Sequence, residues 1–147
     1  MKPLTIVFLI CLCSISFTVQ AEPSRHTVSG TVSFPREGVI RIMLVDEKNY
    51  TANTGRLTPY QLSISVDPKG SGGKSAAFSF TDVAPGWYCI NCFLDLNGNG
   101  ILDKGLFGPT EPWNIYKRPQ IMLGRPQFKD AAFYVDKDIA GIEISLQ

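Results

Sequence analysis

The residues whose types and spacing could carry chemistry are Asp95, Asn97, Asn99, Ile101 and Asp103, set around Gly100 in the run DLNGNGILD. Oxygen-bearing side chains stand at alternate positions, and the glycine at the sixth permits a sharp bend. A hard cation takes about six to eight oxygen ligands, which a short loop can deliver from alternate positions around such a bend. In that register Asp95, Asn97 and Asn99 each offer a side-chain oxygen, Ile101 its backbone carbonyl, and Asp103 a carboxylate, directly or through water. Calcium is the expected cofactor, in a structural role that fixes the segment after the loop. The twelfth position is Leu106, not the glutamate that closes a helix-loop-helix site. The site is therefore expected to be weak unless Glu111 or Asp130 folds back. A plain Asn-Gly turn is the competing reading. It accounts for Asn97 to Gly100 and leaves the flanking aspartates unexplained.

No nucleophile stands beside a base, so no catalytic residue is assigned. The alternative is a hydrolytic enzyme using Asp95, Asp103, Glu111 or Asp130 as acid and base. Such pairs sit about 5–9.5 Å apart across an open cleft, which carboxylates gathered on one ion cannot do. The single histidine, His26, is expected at the surface. Cys89 and Cys92 lie in a run that reads as a strand, which puts their Cα atoms about 10 Å apart. A disulfide needs about 4.4–6.8 Å. Separate thiols are expected unless a bulge breaks the strand. Trp87, Trp113 and Tyr116 either pack or form an exposed platform for a glycan or a peptide.

The chain that must position these residues has an export signature at its start. Lys2, the apolar run from Leu4 to Leu12 and the small-residue pattern ending at Ala21 mark residues 1–21 as a signal peptide. Residues 22–147 are then one domain, with no stable membrane span after processing. The sequence has 14 Lys and Arg against 13 Asp and Glu, and losing Lys2 equalises them. That balance argues against nucleic acid or anionic lipid as partner. Lys117, Arg118 and Arg125 read as a solvated basic loop.

Period-two alternation dominates and marks half-buried strands. Val28, Val32 and Phe34 share a face with Gly30. Ile40, Ile42 and Leu44 form the next apolar face, with Arg41 opposite. Leu62, Ile64 and Val66 follow, then Phe78 and Phe80. In the fifth run Tyr88, Ile90, Cys92 and Leu94 point inward and Cys89 outward. Pro109, Pro112, Pro119 and Pro126 exclude helix and central strand between Leu106 and Gln127. Ala131 to Val135 and Ile142 to Leu146 complete seven short strands. The expected fold class is all-β, a seven-stranded antiparallel Greek-key sandwich. An edge strand such as Gln61 to Val66 offers a place for an envelope partner.

The succession FSFTDVAPGWYCI, DLNGNGILD, GPTEPW and PQFKDAAFYV resembles a bacterial exported family catalogued as domain of unknown function 2141. The resemblance is strongest after Phe78. It implies a transthyretin/prealbumin-like or carboxypeptidase-regulatory-like sandwich in the periplasm or secreted, and it implies no activity. Between Asn114 and Met122 this chain departs from the family pattern, so ligand contacts of relatives there do not carry over.

Overall fold

All seven alternating runs contain strands: β1 (His26–Ser33), β2 (Gly38–Val45), β3 (Gln61–Val66), β4 (Ser75–Val83), β5 (Gly86–Asp95), β9 (Phe133–Val135) and β10 (Ile139–Ser145). The computed structural model describes residues 24–52, 58–67, 69, 74–119 and 125–147. Residues 1–21, read above as a signal peptide, and most of the Gly-rich segment from Asp67 to Gly73 lie outside them. Three further strands are short, β6 (Lys104–Gly105), β7 (Gly108–Pro109) and β8 (Trp113–Ile115). The prolines keep β8 brief and place it at a sheet edge.

One sheet has the order β10-β1-β4, and the other the order β3-β2-β5-β8, with β9 pairing the first residues of β5. Their inner faces meet in one core. Val28 and Val32 of β1, Phe80 of β4 and Ile142 of β10 pack with Ile42 of β2 and Ile90 of β5. The chain is thus all-β with two facing sheets, as the alternation demands. One pairing departs from the antiparallel expectation, because β1 and β10 run parallel. A tight hairpin dictates antiparallel neighbours, whereas β10 arrives from the opposite sheet and can lie either way. Its end is fixed by the Leu146 N–H, which donates to the Ser33 carbonyl at 2.9 Å.

Two short helices escape the period-two reading: α1 (Glu47–Ala52) and α2 (Phe128–Ala131). Asp46 caps α1, its Oδ1 accepting from the Asn49 N–H at 2.8 Å. Gln127 and Asp130 form a reciprocal capping box on α2. Ala131 therefore ends a helical turn instead of opening a strand. Both helices cover part of the outer face of the β3-β2-β5-β8 sheet, where Val45, Cys89 and Ile115 form a second cluster with Tyr50 and Ala131.

That second cluster explains the cysteines. Cys92 faces the main core and Cys89 the outer cluster, and both are free and buried. Burial pushes the Cys89 thiol up to about 12 against a lowering from Arg125, and burial alone raises Cys92. His26 also departs from expectation. Its side chain is only 12% exposed, and its Nε2 is buried with no partner among the described residues. Its place at the start of β1, paired with Val83 of β4, draws it under the sheet end.

Candidate functional site

Asp95 ends β5 with its side chain fully buried, and it organises the loop that follows. Gly98 and Gly100 adopt φ of 76° and 78°, a conformation that side chains disfavour. The bends turn their N–H groups back onto Asp95, Gly98 to Oδ1 at 2.7 Å and Gly100 to Oδ2 at 2.8 Å. Arg41 of β2 adds Nε at 3.0 Å and Nη2 at 2.9 Å to the same Oδ2. Burial raises the Asp95 pKa, but the Gly100 N–H, the Arg41 side chain, the Gly98 N–H and the Arg41 charge outweigh it. Together they hold the carboxyl below the usual aspartate range.

The other expected ligands gather in the same loop. Asn97 and Asn99 each turn their oxygens to the N–H two residues ahead, at 3.0 and 2.8 Å. Their amide nitrogens both donate to the Asp103 carboxylate, at 2.6 and 3.1 Å. Glu111 folds back as one of the two residues named for that role. Buried, it accepts from the Leu96 N–H at 2.8 Å and the Asp103 N–H at 3.1 Å. Asp130 does not, because it caps α2. Among the described residues no group of three or more His, Cys, Asp or Glu side chains is placed to hold a metal ion. The side chain of Ile101 is exposed. As the residues stand, Arg41 supplies the positive charge beside Asp95. A cation would need Asn97, Asn99 and Asp103 to release one another and turn inward.

Beside the loop, the outer face of the β3-β2-β5-β8 sheet holds a pocket of about 470 Å³. Strand register lays out its floor. Gln61, Met43, Asn91 and Ile115 form one row across four strands, and Arg41, Phe93 and Trp113 form the next across three. Ile101, Leu102 and Lys104 wall it at the loop end; Asn49, Thr58 and Arg125 wall it at the α1 end. Arg41 joins the two features, since its Nη1 also donates to Ser63 Oγ at 2.9 Å. The carbonyl oxygens of Gln61 and Asn91 are buried with no hydrogen-bond partner among the described residues. These two amides are the functional candidates that sequence reasoning missed. They lie thirty positions apart in sequence and come together only through β2.

The three aromatic residues considered as a platform are dispersed. Trp87 is exposed and pairs with Tyr134 at 5.2 Å. Trp113 packs beside the second cluster with the Arg118 guanidinium 4.5 Å from its ring centre. Tyr116 meets Phe133 edge-on at 5.6 Å. Arg125 lies 4.0 Å over Tyr50, and Lys117 lies near Tyr116 and Phe133, so the basic loop is divided among separate rings.

These observations define a class: an all-β protein of two facing sheets whose outer face carries a pocket walled by an aspartate-anchored loop. Residues 31–142 match the family described as an uncharacterized protein conserved in bacteria (DUF2141), and the chain belongs to it. No curated protein and no solved structure matches it. No helix among the described residues is long and apolar enough to cross a membrane.

Proposed function

We propose that this chain is an exported, non-catalytic binding module that takes a small ligand in the outer-face pocket. The observation that carries the reading is the pair of amide oxygens, Gln61 Oε1 and Asn91 Oδ1, buried without a partner among the described residues on two side chains that line that pocket. A buried acceptor without a partner costs about 1–3 kcal/mol. Both residues line one concavity, and a molecule seated there would give each oxygen a donor once its amide turns outward. Export to the periplasm or beyond rests on residues 1–21 and on the bacterial family. The seven strands that the alternation marks, which cross repeatedly between two sheets, support a Greek-key sandwich of the transthyretin/prealbumin kind.

The hydrolytic alternative draws less support. Asp95 and Glu111 are buried and hold loop N–H groups, Asp103 holds two asparagines, and Asp130 caps a helix. The test is a fragment library screened by NMR on labelled protein. Binding fragments are expected to move the side-chain amide signals of Asn91 and Gln61 and leave those of Gln147, which lies outside the pocket, in place. A library that moves neither pair of signals contradicts the reading.

A second reading keeps calcium in the loop. The return of the Gly98 and Gly100 N–H groups onto Asp95 favours it, because it wraps Asp95, Asn97, Asn99 and Asp103 into one turn. Thermal unfolding tests this. A bound ion raises the melting temperature by mass action, so millimolar calcium is expected to raise it over chelator and Asp103→Ala to remove the difference. Equal melting with calcium and chelator retires the calcium reading.

A further inference from the structure

We propose that the outer-face pocket takes an acidic sugar, a polyhydroxylated ring bearing one carboxylate. This deepens the binding reading above and rests on it. The orphaned amides set the first requirement. Gln61 and Asn91 are two strands apart in one row, with Cα atoms about 10 Å from each other. Each oxygen is shut away from solvent and from every donor among the described residues. Rotation about the soft terminal torsion of each amide exchanges oxygen and nitrogen, so a ligand in the pocket meets the oxygen once the side chain has turned it outward. A ligand hydroxyl, which both donates and accepts, satisfies the amide in either orientation. An ammonium satisfies only one.

Charge sets the second requirement. Arg41, Lys104 and Arg125 line the pocket, and no Asp or Glu does among the described residues. A cationic ligand is repelled and an anionic one drawn in. Arg41 is committed to Asp95 and Arg125 to the Tyr50 carbonyl and ring, which leaves Lys104, exposed at the loop end, as the point charge for the acid. One lysine, a single point charge, balances a single carboxylate and leaves a doubly charged phosphate half neutralised. Shape sets the third. Met43 lies between the two amides in their row, and Ile115 and Trp113 add apolar lining beyond Asn91, which fits the C–H faces of a sugar ring. A volume of about 470 Å³ lies within the usual range for small-ligand pockets.

The experiment is calorimetric titration with glucuronate, glucose and acetate. Glucuronate is expected to bind, glucose at least tenfold more weakly, and acetate without saturation. Lys104→Gln is expected to bring glucuronate down to the level of glucose. Asn91→Leu and Gln61→Leu are each expected to weaken it at least tenfold, with folding checked by circular dichroism. Glucose binding as tightly as glucuronate, or an unchanged affinity in Lys104→Gln, overturns the acidic-sugar assignment. No binding of any of the three, while fragments still move the Asn91 and Gln61 amide signals, overturns the sugar and leaves the pocket as a binding site. Silence in both measurements ends both proposals.

Discussion

Gly30→Ala is expected to destabilise the protein by about 3 kcal/mol or more, the upper range for forced overpacking. A Cβ built on Gly30 falls 2.0 Å from the Ile142 carbonyl oxygen and 2.7 Å from its carbonyl carbon. The obstruction is backbone, so no side-chain rotation relieves it. β1 and β10 must separate, and the β1–β10 register already skips a residue between Val28 and Gly30. Ile142 and Ile144 on β10, both nearly fully buried, would lose their seat in the main core. Denaturant unfolding measures the loss, and hydrogen exchange locates it, with protection falling first along β10. A loss under 1 kcal/mol contradicts the close approach of the two strands.

Asp95→Ala is the second large effect, an expected loss of about 3–5 kcal/mol, typical of removing one partner of a buried ion pair. The substitution strips the Arg41 guanidinium of its counter-charge and orphans the Gly98 and Gly100 N–H groups. Its pH dependence follows from the lowered pKa of Asp95 in the folded state. A carboxyl depressed on folding contributes stability above its unfolded pKa, about 3.9, and that contribution fades as pH falls through the lower folded value. The gap between wild type and Asp95→Ala is therefore expected to be constant near neutrality and to narrow below about pH 4. A gap that narrows instead on raising the pH from 5 to 8 contradicts the assignment.

Much of the fold is legible in the sequence because alternation is a local property. The inward set Tyr88, Ile90, Cys92 and Leu94 and the outward placing of Cys89 both hold. What alternation could not show is that the outward face is also covered. A signal was present, since β5 reads as a nearly unbroken apolar run, Trp87 to Leu94, the pattern of a strand buried on both sides. α1 and α2 are too short for a helical period to register. The parallel β1–β10 pair joins residues more than a hundred positions apart, and nothing local in either strand encodes its direction.

The loop was legible for a related reason. Asp95, Asn97, Asn99 and Asp103 are neighbours in sequence, and glycine marks the bend. Arg41 was visible as an outward residue but not as the partner of Asp95, because that pairing depends on the β2–β5 register. The pocket was the least legible feature. Its floor takes residues from four strands, and neither Gln61 nor Asn91 is unusual in its own segment. Only their oxygens' lack of a hydrogen-bond partner among the described residues sets them apart, and that is a property of the packed sheet.

The claim on which the account turns is that Asn91 is held in the pocket for a ligand at a cost to the free protein. Thermal unfolding of Asn91→Leu without ligand tests this most directly. Leucine has nearly the same shape and removes the orphaned acceptor, so stability is expected to rise by about 1 kcal/mol. A loss of about 2 kcal/mol or more, of the size seen when a satisfied buried polar network is broken, would show Asn91 to be an ordinary structural residue and contradict the account.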